Sequence, residues 1–133
     1  VSTEVPRLPS SAPGPLAPER DVPLAPRTTL ELGGPARHLT RIRSEQEVGP
    51  ALAWAEARGL PVLVLGGGSN LIVSDAGFEG LVLAMESRGV ATLRVEGPGG
   101  EPRVRVTAAA GEPWDDLVAF TVQRGWQGLE CLS

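Results

Sequence analysis

Lysine is absent from this 133-residue sequence, whose twelve basic residues are all arginine. A phosphate-binding loop ending in Gly-Lys-Ser/Thr is thereby excluded, since its lysine must reach the terminal phosphates. Arginine in every basic position points to a GC-rich coding sequence rather than to chemistry. Cysteine occurs once, at Cys131, so neither an internal disulfide nor a cysteine-based metal cluster is expected. With His38 as the single histidine, a zinc site is not expected either. No apolar run approaches the length of a membrane span, and the first residues lack a signal peptide's hydrophobic segment, so a cytoplasmic protein is expected. A net charge of −4 and a pI near 5.0 argue against a nucleic-acid partner.

What is present has the composition of an ordinary soluble domain with a modest core: 41% hydrophobic and 21% charged residues. The stretch that organises it is Pro61 to Asp75, PVLVLGGGSNLIVSD. Val62 to Leu65 and Leu71 to Val73 are short, aliphatic and bounded by Pro or Gly, and both are predicted as buried strands. Between them lie Gly66, Gly67, Gly68, Ser69 and Asn70. A Rossmann fingerprint needs a third glycine where Leu71 stands and a helix after it, so that reading is weak. Two readings of the loop stand. It is a tight turn between strands, or its successive backbone N–H groups form a concave cradle for an anion, phosphate above all, with Ser69 and Asn70 at the rim.

Residues Val1 to Pro26 contain seven of the thirteen prolines and are predicted as an extended, mostly disordered leader. Order is expected from about Thr28, with Thr28 to Leu32 as a short strand, a turn at Gly33 to Pro35, and a second strand over Ala36 to Ile42. In that second strand His38, Arg37, Arg41 and Arg43 suit a charged, solvated edge better than a ligand site. Ser44 and Glu47 form a capping-box pattern ahead of a helix that packs Val48, Leu52, Trp54 and Ala55 and stops near Gly59. Pro50 sits awkwardly inside that helix, either distorting its first turn or beginning its regular part. Further strands are predicted over Phe78 to Met85, Val90 to Val95 and Arg103 to Ala109, the last two joined by a hairpin at Gly97 to Pro102. A second helix follows Pro113, with Trp114, Leu117, Val118 and Thr121 or Val122 as its apolar face, and Trp54 and Trp114 are expected to fill core space. Asp115 and Asp116 suit the helix dipole rather than acid/base work. The apolar ending in WQGLECLS suggests missing sequence.

The strings TTLELGGPA, PVLVLGGGSNLIVSD, GEPWDDLV and GWQGLECLS, in this order and spacing, resemble the N-terminal part of the UDP-N-acetylenolpyruvoylglucosamine reductase family, the UDP-N-acetylmuramate dehydrogenases. The resemblance covers about Pro26 to Ser133. It implies an α+β fold, an FAD-binding domain of the vanillyl-alcohol-oxidase type built from two small subdomains, running from residue 27 to 133 and incomplete at its C-terminus. It implies that Gly66, Gly67, Gly68, Ser69 and Asn70 hold the FAD diphosphate. In that family FAD takes a hydride from NADPH and passes it to the enol ether of UDP-N-acetylglucosamine enolpyruvate, making UDP-N-acetylmuramate for peptidoglycan. No residue of this chain matches a family catalytic position, so the chain alone is expected to be inactive, to expose apolar surface, and to need a C-terminal half as its partner. The rival readings are an FAD oxidase of the same broader fold and a stand-alone nucleotide-binding module.

Overall fold

The computed structural model describes residues 16–129. Among these the fold is mixed α+β. A four-stranded sheet has the order β1-β2-β4-β3, with β1 Glu19–Pro23, β2 Pro35–Ile42, β3 Val62–Leu65 and β4 Phe78–Met85. A two-stranded antiparallel ribbon joins β5 Val90–Glu96 to β6 Pro102–Ala108. The helices are α1 Val48–Glu56 and α2 Trp114–Val122.

Strand β4 is the axis of the larger sheet. It pairs in parallel with β2 on one side and with β3 on the other. Its side chains alternate between two cores, because successive residues of a strand point to opposite faces. Val82 and Ala84 join Leu24, Ala36, Leu39 and Leu65 on one face, while Leu81 and Leu83 join Ile42, Ala51 and Ala55 on the other. A strand covered on both faces reads as an unbroken apolar run, which is what Leu81 to Ala84 is. Helix α1 supplies the second cover through Ala51 and Ala55, one turn apart, so Leu52 turns outward and is exposed. Pro50 falls in the first turn of α1, where its missing N–H has no intrahelical partner to lose, and a single 3-10 turn at Glu45–Glu47 leads in. The Glu47 carboxylate accepts from the N–H groups of Arg43, at 2.6 Å, and Ser44, at 3.3 Å.

Several expectations are corrected. Residues 1–15 lie outside the described residues, but the leader does not run to Pro26, because Glu19–Pro23 is strand β1, paired antiparallel with β2. Proline is tolerated there because β1 is an edge strand and Pro23 is its last residue. Strand β2 is therefore interior, not an edge. His38 is buried on it and meets Trp54 edge-on at 5.0 Å, while Arg37 and Arg41 reach out to Glu79 and Glu19. Thr28 to Leu32 and Leu71 to Val73 are not strands. Trp54 is half-buried beside the α1 core, but Trp114 is exposed, because α2 buries Leu117, Val118 and Thr121 instead. Pro113 caps α2 in an extended conformation rather than lying in its first turn. Cys131 lies outside the described residues.

Burial lowers the His38 pKa below its ordinary value, and the charges of Arg20, Arg37 and Arg58 lower it further against an opposing pull from Asp21. The unfolded chain therefore binds this proton more readily than the folded one. The stability His38 contributes is complete above its unfolded pKa and is lost as the pH falls through the folded value. Thermal melts at about pH 7.5 and about pH 5.5 are expected to give a lower midpoint at the acid end. His38→Phe, which keeps a ring against Trp54 and cannot titrate, should flatten that slope; an equal slope in both proteins would contradict the assignment.

Candidate functional site

Strands β2, β3 and β4 run in the same direction, so their carboxyl ends come together, with Ile42 opposite Met85 and Leu65 opposite Ala84. The glycine loop leaves β3 at that end. Clefts beyond the carboxyl ends of parallel strands are where α/β proteins commonly bind ligands. Here a cleft of about 350 Å³ is lined by Pro26–Thr29, Leu65–Gly67 and Ala84–Glu86.

The five predicted site residues fall into three groups. Gly66 and Gly67 line the cleft and are exposed, and a Cβ added at either would meet nothing within 4 Å. Gly68 is buried behind them at φ +71°, where a Cβ would lie 2.1 Å from the Arg27 carbonyl oxygen. Ser69 and Asn70 are exposed beyond it and do not line the cleft. Among the described residues, no main-chain carbonyl accepts from the N–H groups of Gly66, Gly67, Gly68, Ser69 or Asn70. The side chains of Ser69 and Asn70 likewise make no hydrogen bond among the described residues. A tight hairpin turn would have closed on itself. This loop instead joins two parallel strands through residues 66–77, turns on itself only near Ser74 to Gly77, and leaves the donors of Gly66 to Asn70 without a main-chain acceptor among the described residues.

The opposite side of the loop is a segment whose part in the site was not foreseen from composition or periodicity. Thr29 N–H donates to the Gly68 carbonyl at 3.1 Å, and Gly34 N–H donates to the Ser74 carbonyl at 2.9 Å. Gly34 has no room for a side chain, because a Cβ would come within 2.2 Å of the Asp75 carbonyl oxygen. The TTLELGGPA string thus packs along the glycine loop as a turn. Its signal in the sequence was the motif resemblance alone. Charge near the cleft is mixed. Glu86, at its lining, sits 3.8 Å from Arg41 and 3.5 Å from Arg43, while Arg27 forms no ion pair among the described residues.

Loop amides that meet no main-chain acceptor among the described residues, beside an open cleft at the carboxyl ends of parallel strands, are an arrangement of the kind that holds phosphate groups in other proteins. Comparison with known families agrees. The FAD binding domain family matches residues 36–133, and the chain belongs to that family. It is homologous to proteins named UDP-N-acetylenolpyruvoylglucosamine reductase. That of Cutibacterium acnes is 46% identical over 113 residues, covering 85% of this chain and 29% of the relative. That of Streptomyces coelicolor is 42% identical over 126 residues, covering 95% of this chain and 30% of the relative. The Synechococcus protein is 46% identical over 110 residues, covering 82% of this chain and 33% of the relative. The chain thus spans about a third or less of the length of these relatives.

Proposed function

We propose that this chain is the N-terminal FAD-binding portion of a flavoenzyme that reduces UDP-N-acetylglucosamine enolpyruvate to UDP-N-acetylmuramate, with NADPH as hydride donor. The observation that carries the reading is the run of loop amides, Gly66 to Asn70, with no main-chain acceptor among the described residues, beside a cleft with room for an anion. Bound FAD would supply the hydride relay that no amino-acid side chain provides. This chain's own part is to bind and orient. The loop amides donate to the diphosphate, the open faces of Gly66 and Gly67 let it approach the backbone, and the cleft walls limit its movement. The reactive centre, the second half of the flavin pocket and the UDP-sugar site belong to polypeptide beyond this portion, as the relatives' greater length supports. Large apolar side chains left uncovered, Val64 at 62% and Ile72 at 76% exposure, suit a domain completed by further chain.

Titrating the purified chain with FAD while following flavin fluorescence tests this. Binding is expected to be weak, with chemical-shift changes in an amide spectrum centred on Gly66 to Asn70. Tight stoichiometric binding would overturn the partial-pocket reading, and shifts centred elsewhere would overturn the loop assignment.

A further inference from the structure

The glycine loop is tied at both of its ends to a neighbouring segment. We infer that the turn around Thr28 presets it, with the Thr28 hydroxyl as a positioning group for the loop's amide donors; the inference rests on the diphosphate reading of the loop.

Two hydrogen bonds staple the loop to one segment. Thr29 N–H to the Gly68 carbonyl holds one end, and Gly34 N–H to the Ser74 carbonyl holds the other. The first bond fixes more than a distance. In a trans peptide the C=O and the following N–H point in opposite directions. With the Gly68 carbonyl turned to Thr29, the Ser69 N–H must point away from the turn. The Gly68 to Ser69 peptide cannot flip without breaking that bond, and Gly68 itself is pressed against Arg27 and Thr28.

What holds Thr29 in place is Thr28, which is buried at 5% exposure. Its N–H donates to the Ala25 carbonyl at 3.2 Å, and its own carbonyl accepts from Glu31 N–H at 3.1 Å. Its hydroxyl lies 3.1 Å from the Leu32 carbonyl oxygen and 3.2 Å from that of Ala25. The Ala25 oxygen already has a donor, whereas the Leu32 oxygen has no other among the described residues. One hydroxyl proton therefore has one indispensable acceptor, and the bond to Leu32 closes the turn that carries Glu31 at φ +53°. Without it the turn loses the link between Thr28 and the Gly33 to Gly34 end, and both staples loosen together.

The test uses the whole chain, labelled with nitrogen-15, as wild type, Thr28→Val and Thr28→Ser. Without ligand, Thr28→Val is expected to shift the Ser69 amide resonance and to speed hydrogen exchange at Thr29, while Thr28→Ser restores both. With ADP as the diphosphate probe, Thr28→Val is expected to bind about five- to tenfold more weakly, the worth of one hydrogen bond, and Thr28→Ser within about twofold of wild type. An unmoved Ser69 resonance and unchanged ADP affinity in folded Thr28→Val, or failure of Thr28→Ser to restore them, would overturn the inference. If wild type itself gives no ADP response, the diphosphate reading falls, and the positioning role is decided by the ligand-free comparison alone.

Discussion

Alanine at Gly68 is expected to remove about 3 kcal/mol or more of stability, whereas alanine at Gly67 is expected to leave the fold intact and weaken diphosphate binding. The two residues are neighbours in one triplet, yet they do different work. At Gly68 the backbone stands at φ +71°, which costs an alanine about 1–2 kcal/mol before any contact is considered. Its Cβ would also lie 2.1 Å from the Arg27 carbonyl oxygen and 3.0 Å from the Thr28 Cα, both main-chain atoms that move only if the turn moves. Against a total stability of about 5–15 kcal/mol, near the low end for a chain this small, that loss is decisive. At Gly67 a Cβ meets nothing within 4 Å and φ lies outside the left-handed region, so alanine there is expected to gain about 0.4–1 kcal/mol by restricting the unfolded chain. On the proposed diphosphate role of the loop, the added methyl would occupy open space at the cleft that the ligand needs. Urea unfolding followed by circular dichroism and ADP titration of both variants check the pair. Equal midpoints for Gly68→Ala and wild type would refute the packing, and undiminished ADP binding by Gly67→Ala would refute the approach of ligand at that glycine.

That division within the triplet marks how far the sequence could be read. Strand positions came through where a short aliphatic run is buried on at least one face, as in Val62–Leu65 and Phe78–Met85, because side-chain pattern and burial then agree. The same rule failed for Leu71 to Val73. Leu71 and Val73 are half-buried against the core of Leu24, Leu39 and Leu65, but among the described residues the backbone of this segment pairs with no strand. Ser74 accepts from Gly34 and Gly77 instead. Apolar character alone does not distinguish a loop that seals a core from a strand that builds one. Thr28 to Leu32 misled for the opposite reason. Leu30 and Leu32 alternate as a strand would, but both are exposed, and the threonine hydroxyl closes the segment into a turn. From residue types alone the glycine loop stood as either a tight turn or a cradle of backbone donors, and only the family resemblance favoured the cradle. The segment that shapes it was not legible, because a contact between residues 29 and 68 leaves no local trace in sequence.

Leu24→Ala is expected to cost about 3 kcal/mol, in the range for deleting a fully buried leucine side chain. A proline-rich leader ending at Pro26 would instead make this position neutral to within about 0.5 kcal/mol. The structure gives Leu24 no solvent exposure and places it in the core with Ala36, Leu39, Leu65, Val82 and Ala84. Two of those neighbours, Leu65 and Ala84, also line the cleft, and Pro26 to Thr29, which line it with them, follow Leu24 directly. The side chain therefore anchors to the sheet the turn that staples the glycine loop. Its loss should lower the melting midpoint and weaken ADP binding together, with the largest amide shifts in Thr28, Thr29 and Gly66 to Ser69. A neutral result would mean that β1 and the turn after it are not packed on the sheet. The site would then lack one of its walls, and the amides of the glycine loop would have no reason to stay open.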